Sequence, residues 1–201
     1  MISRIGNFIH TNKTAHSKGD ISMINRMIAA MLLKPELYEE VESDRSATGQ
    51  GVLIVLIAGI ATGIANLTIA DGTLDAFLFG IASRLIGWVL LAAIISFVGT
   101  KLFPTPDTQS NWGELSRTMA FAQSPAILII FGVIGLLAGL ENIFWIVAFV
   151  TLVWQMAATI IAVRQALDYT STIRAVGVTV LSYIPYAVIM TLLAQLLSEG
   201  A

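Results

Sequence analysis

"FGIASRLIGWVL", Phe79 to Leu90, lies inside a run from Phe77 to Thr100 whose only charged residue is Arg84. A spanning α-helix needs about 20 mainly apolar residues to cross about 30 Å of hydrocarbon. The stretch therefore predicts a membrane span that carries one cation, and that reading decides the fold. Composition agrees with it. The 201 residues are 56% hydrophobic and 12% charged, with mean hydropathy +0.82, against about 45–50% apolar and about 25% charged in soluble domains.

Five windows of this kind occur, at Gln50–Ala70, Phe77–Val98, Ala120–Leu140, Ile143–Val163 and Ala175–Leu197. Little more than Glu141 and Asn142 joins the third to the fourth, and joints this short make neighbouring spans antiparallel. Backbone polar groups in lipid must be satisfied within the chain, which leaves a helical bundle. The expected fold is all-α: a polytopic membrane bundle of five transmembrane helices over residues 50–201, preceded by a cytoplasmic segment over residues 1–49 with an amphipathic helix.

Charge sets the expected direction. Arg4, Lys13, Lys18, Arg26, Lys34, Arg45, Lys101, Arg117, Arg164 and Arg174 all fall on one side, whereas Asp71, Asp75, Glu141 and Glu199 mark the other. The positive-inside rule then places the N-terminus in the cytoplasm and the C-terminus outside. "MISRIGNFIHTNKTAHSKGD" lacks the apolar core and cleavage site of a signal peptide, so the first span is expected to be the targeting signal and the first forty-nine residues to stay in the mature protein.

In the N-terminal segment Ile21, Ile24, Ile28, Met31 and Leu32 recur at helical spacing, widened by Met23 and Met27, with Ser22, Asn25 and Arg26 opposite. Asp20 is the expected N-cap, and Lys34 before Pro35 the expected end. A second short helix, "PELYEEVESD", starts with Pro35 at its first position. The first helix is too short to span, so it is expected in the headgroup region or on the cytoplasmic mouth of the bundle. The smaller stripe Ile2, Ile5, Phe8 and Ile9 suits the same place, and binding a partner is the alternative.

Catalytic patterns are missing from the sequence. It has no cysteine, hence no thiol nucleophile or cysteine metal site, and His10 and His16 sit in a polar linker without a ligand cluster. No nucleophile elbow, phosphate loop or dinucleotide fingerprint occurs. Scattered basic residues among acids argue against nucleic-acid binding. The reading is therefore a non-enzyme without cofactor or metal.

Four features remain where function could sit. Arg84 is costly in a span, about 2.5–3.5 kcal/mol on insertion scales; its place near the outer end and the tilt of helical side chains toward the N-terminus aim it at the outer headgroups or at Asp71, Asp75 or Glu141. An anion-binding site and a subunit contact are the alternatives. Pro125 and Pro185 interrupt spans three and five and are expected to kink them, as in many bundles that transport nothing; the alternative is that with Arg84 and Gln123 they line a midplane site. Gly59 and Gly63, and Gly135 and Gly139, form G-x-x-x-G pairs, suited to packing within the bundle or to a homo-oligomer seam. Arg164 and Asp168, four apart, are placed to pair across a helical turn, and with Trp112, Arg117, Tyr169 and Arg174 would form an interfacial platform for a partner or lipid headgroup, or plain anchors.

Three stretches in order resemble the Yip (Ypt-interacting protein) family: "MLLKPELYEEV" leading into span one, "WGELSRTMAFAQSPAIL" from Trp112 to Leu128, and "RQALDYTSTIRA" from Arg164 to Ala175. The resemblance covers roughly residues 27–197 and implies a five-span, N-inside membrane protein without known catalysis. Eukaryotic relatives act in vesicle traffic and bind Rab-type GTPases and one another. Here the arm is short and offers only "PELYEEV" where the family has an Asp-Leu-Tyr-Gly-Pro-like motif, which argues against a Rab-type partner and for a prokaryotic member in the bacterial cytoplasmic membrane. The leading expectation is a scaffold, assembly factor or accessory subunit in contact with lipids and membrane protein partners. The alternative is a small transporter or lipid-handling protein with a site around Arg84.

Overall fold

The computed structural model describes residues 22–69, 72–106, 108 and 110–199. Among these the chain forms eight α-helices and no strand: α1 Met23–Met31, α2 Pro35–Ser43, α3 Ala47–Ile69, α4 Leu74–Phe97, α5 Trp112–Phe121, α6 Ile129–Leu137, α7 Glu141–Ala166 and α8 Thr172–Glu199. A π-helical turn, Val98–Leu102, extends α4, and a 3₁₀ segment, Ser124–Leu128, joins α5 to α6. Five stretches are long and apolar enough to cross a membrane, at Ala47–Ile69, Leu74–Leu102, Trp112–Leu137, Glu141–Ala166 and Thr172–Leu196. Each matches an expected span. The third starts earlier than expected because Asn111 and Glu114 form a capping box, the Asn111 side chain accepting from Glu114 N at 3.1 Å and Glu114 Oε2 accepting from Asn111 N at 3.0 Å.

The spans close a ring in which α3 touches α4 and α6, α7 touches α6 and α8, and α8 touches α4. At the end where α3 begins, α5 is wedged between α2, α3, α4 and α7, with Leu115 through Phe121 buried. Glycine sets the tightest crossing. A Cβ on Gly63 would stand 2.6 Å from the Phe77 carbonyl oxygen, and one on Gly80 2.5 Å from Gly63 Cα, so α3 and α4 meet backbone to backbone, as small residues allow. The Gly59 and Gly63 pair thus serves packing within the chain. Gly135 does so too, against Ile143, but Gly139 has φ +75° and no neighbour within 4 Å; it turns the chain out of α6, a task that favours glycine.

Prolines act differently in the two spans. Pro125 sits in the 3₁₀ segment that breaks span three, whereas Pro185 lies inside a continuous α8. Pro35 is the first residue of α2, as expected.

The first helix departs from its expected pose. Ser22 rather than Asp20 caps α1, its side chain accepting from Asn25 N at 3.3 Å, and Asp20 lies outside the described residues. The helix ends at Met31, before Lys34, and Leu33 takes φ 58°. Arg26, assigned to the polar face, turns inward with Ala30, while Ile24, Ile28 and Leu32 are 49–63% exposed. The physical reason is charge. Arg26 donates to Glu40 through Nε at 3.1 Å and Nη2 at 2.7 Å, to Asp44 at 2.7 Å and to Gln50 at 3.0 Å, binding α1 to α2 and to the start of α3. Burial lowers the affinity of Arg26 for its proton, and the two carboxylates outweigh that and raise it. Asp44 is held down to about 2 by hydrogen bonds from Ser46 and Arg26. His10, His16, Ile21 and the Ile2, Ile5, Phe8 and Ile9 stripe lie outside the described residues.

Candidate functional site

Arg84 leaves α4 one turn beyond Gly80, where that helix runs closest to α3. It does not reach Asp75 or Glu141, and Asp71 lies outside the described residues. The guanidinium turns into the ring instead, where Nε donates to Thr62 Oγ1 at 3.0 Å and Nη1 donates to Gln123 Oε1 at 3.1 Å and Gln155 Oε1 at 3.0 Å. Gln155 Nε2 donates to Gln123 Oε1 at 2.6 Å, so both amides turn oxygen toward the cation. Among the described residues Arg84 forms no ion pair; the two ion pairs there belong to Arg26. Three neutral oxygens from α3, from α7 and from the residue that opens the 3₁₀ segment thus solvate an intramembrane charge that an isolated helix would have to lift to the headgroups.

The cluster borders a partly open cavity of about 430 Å³ framed by all five spans. Arg84 keeps accessible surface because it faces this cavity. The lining from α3 comes from Thr62 to Ile69 and that from α7 from Phe144 to Gln155, which places the cavity in the half of the bundle away from α5. Tyr183 and Tyr186 of α8 form the facing wall, packed edge to face with ring centroids 5.7 Å apart. Gly87 makes room for them, since a Cβ there would lie 2.6 Å from the Tyr186 hydroxyl. Of the intramembrane candidates the structure brings Arg84 and Gln123 together; Pro125 lies two residues beyond Gln123 in the break, and Pro185 borders a separate shallow apolar groove with Phe97 and Leu102. Thr62 and Gln155 were not singled out as partners of Arg84. Gln155 is a polar amide inside span four, as Gln123 is inside span three.

The expected platform is largely used up in holding the fold. Arg117 is buried, and its Nε donates to Val41 O at 3.1 Å while Nη2 donates to Glu42 O, satisfying carbonyls at the end of α2 that no intrahelical N–H reaches. Tyr169 is buried and its hydroxyl lies 2.9 Å from Phe103 O and 3.1 Å from Gly99 O, at the end of the π turn; burial raises its pKa, and Arg174, 5.8 Å over the ring, works against that. Arg164 does not pair with Asp168. Its Nε donates to Tyr169 O at 3.3 Å, because Asp168 takes φ 52° just past the end of α7 and leaves the helical face. Arg174 donates to Pro104 O at 3.4 Å, and Trp112 remains exposed. Glu42, beside Arg117, is pushed up to about 7 by burial and by the charges of Asp168 and Glu114.

A five-span α-helical bundle with an inward-facing arginine defines the chain as a polytopic integral membrane protein. A family model described as the Yip1 domain matches residues 29–194, and the chain belongs to that family. No curated protein and no solved structure matches it significantly.

Proposed function

We propose that this Yip1-domain protein is a non-enzymatic membrane protein that handles a ligand at the Arg84 cavity, as a small transporter or lipid-handling protein. One observation carries the reading: among the described residues Nη2 of Arg84 donates to no protein acceptor, and it lies beside the cavity. Arginine presents a planar fork suited to two oxygens of one anion, and here half of that fork is unclaimed. The test is native mass spectrometry of the gently extracted protein, with Arg84→Gln alongside. A small molecule or lipid that stays with the wild type and is lost from the variant supports the reading; identical spectra sink it.

A scaffold or accessory role is the second reading, favoured by the outward face of α1, where Ile24, Ile28 and Leu32 are exposed. That face suits the membrane interface or a membrane partner. Foreign subunits that leave on Ile28→Asp would support it. In both readings the end carrying α1 and α2 faces the cytoplasm of a bacterial cell, in accord with the basic residues gathered there. The sequence has no cysteine, so single cysteines placed at Ser46 and at Asp75 report the direction by their reaction with an impermeant thiol reagent.

A further inference from the structure

Polar and apolar groups are segregated within the cavity. The hydrogen-bonding groups of Arg84, Thr62, Gln123 and Gln155 gather at one level, and Asn66, nearer the end of α3, spends its amide on Ala76 O at 3.4 Å. Beyond that level the walls are mostly apolar, with Ile69, Phe144, Ala148, Leu152 and Met190 among them and Thr151 as a polar residue between Ala148 and Leu152. From Gln155 to Phe144 α7 rises about 16 Å, at about 1.5 Å per residue. A bare inorganic anion would occupy the polar level and leave the longer apolar part empty, whereas an uncharged hydrocarbon would leave the cation unmatched.

We infer that the cavity takes an organic monoanion with an apolar body, a hydrophobic carboxylate, bound with its head on the free edge of Arg84 and its chain toward Phe144 and Ile69. The inference rests on the ligand-handling reading above and deepens it by naming the ligand class and its direction. Nη2 of Arg84 supplies the donors for one carboxylate oxygen, and among the described residues no carboxylate lines the cavity to repel the head. Three neutral acceptors fix the guanidinium before the ligand arrives, which lowers the ordering cost of binding. At about 430 Å³ the space falls in the lower part of the range for small-molecule sites, about 300–1,000 Å³, and suits one chain rather than the two of a diacyl lipid.

Trp88 lines the cavity next to Gly87, its indole fixed by donation to Ser116 O at 2.9 Å, and so reports on the polar level. The experiment uses the full chain with Trp112, Trp145 and Trp154 replaced by Phe, in phosphatidylcholine nanodiscs, titrated with dodecanoate brominated next to the carboxylate or at the far end of the chain. Saturable quenching of Trp88 is expected from the first probe and much less from the second. Unlabelled dodecanoate should compete, dodecanol should not, and Arg84→Gln should weaken the apparent affinity by roughly tenfold or more, the worth of a charge-assisted hydrogen bond. Because Arg84→Gln could disturb folding, Ala148→Phe serves as a second variant: it fills the apolar part and should weaken dodecanoate without weakening acetate. Equal quenching by both probes, or competition by dodecanol, overturns the inference. If acetate or inorganic phosphate competes as well as dodecanoate, the site handles small anions and only the ligand class falls. Absence of any saturable, Arg84-dependent binding overturns the handling reading as well.

Discussion

Nη1 of Arg84 donates to Oε1 of Gln155 at 3.0 Å, tying α4 to α7 across 71 positions of the chain. Removing one side of such a contact costs more than removing both when the survivor stays desolvated with fewer partners, as Arg84 would with only Thr62 and Gln123 left. Gln155→Leu should therefore lower stability in detergent by about 1.5–3 kcal/mol, and the double variant Arg84→Met with Gln155→Leu should recover part of that loss. Reversible unfolding of the two variants beside the wild type checks the order; a double variant less stable than Gln155→Leu would show that the contacts of Arg84 with Thr62 and Gln123 outweigh the loss of Gln155.

The N-terminal helices hang on two arginines. Arg26 joins α1 to Glu40, Asp44 and Gln50, and Arg117 donates to the carbonyls of Val41 and Glu42. Arg117→Met should leave those carbonyls unsatisfied and loosen α2, and Arg26→Gln should free α1. Limited trypsin digestion would then cut faster at Arg45, with the five spans intact. Unchanged cutting in both variants would mean that apolar packing of Tyr38 and Val41 alone holds these helices.

Glycine substitutions should sort by the space around them. Gly63→Ala and Gly80→Ala place a methyl group against backbone across the α3 and α4 crossing, which costs about 1–3 kcal/mol by overpacking. Gly177 in α8 has nothing within 4 Å, so Gly177→Ala should be neutral or gain up to about 1 kcal/mol from helix propensity. Thermal midpoints of the three variants test the ranking.

Glu42 makes stability depend on pH in a stated direction. Its carboxyl rises from an ordinary 4.5 to about 7 in the folded chain, so the folded state binds more protons than the unfolded state between those values. Stability contributed by Glu42 is then full below about pH 4.5 and lost as pH rises through 7. Glu42→Gln should flatten the fall between pH 5 and 7. Asp44, held down to about 2, acts oppositely and only in strong acid, its contribution lost as pH falls from about 3.8 toward 2. An unchanged slope in Glu42→Gln would place the titration elsewhere.

Much of this architecture is legible in the residues themselves. The five spans follow from apolar runs too long for anything but a membrane helix, and the Pro125 break and the Pro35 start follow from a ring that removes a hydrogen-bond donor. The Asn111 and Glu114 box was readable at its three-residue spacing and lengthened span three. The inward turn of Arg26 on α1 was not readable. A stripe of Ile24, Ile28 and Leu32 names the apolar face of a helix but not its surroundings, and in a membrane protein outside is also apolar.

Arg84 divides the two kinds of information most sharply. The sequence by itself determined that an all-helical chain crosses the membrane five times, that it belongs with the Yip family, and that one cation lies within a span. These depend on composition and local spacing. Tertiary structure alone decided that the cation turns away from Asp75 and Glu141 toward Gln123 and Gln155, and that Arg117 and Tyr169 brace the fold where a platform was expected. Such choices depend on which oxygen atoms three or four separate helices bring within about 3 Å of one guanidinium. No local pattern holds that information, because the partners lie 22 to 71 residues away along the chain.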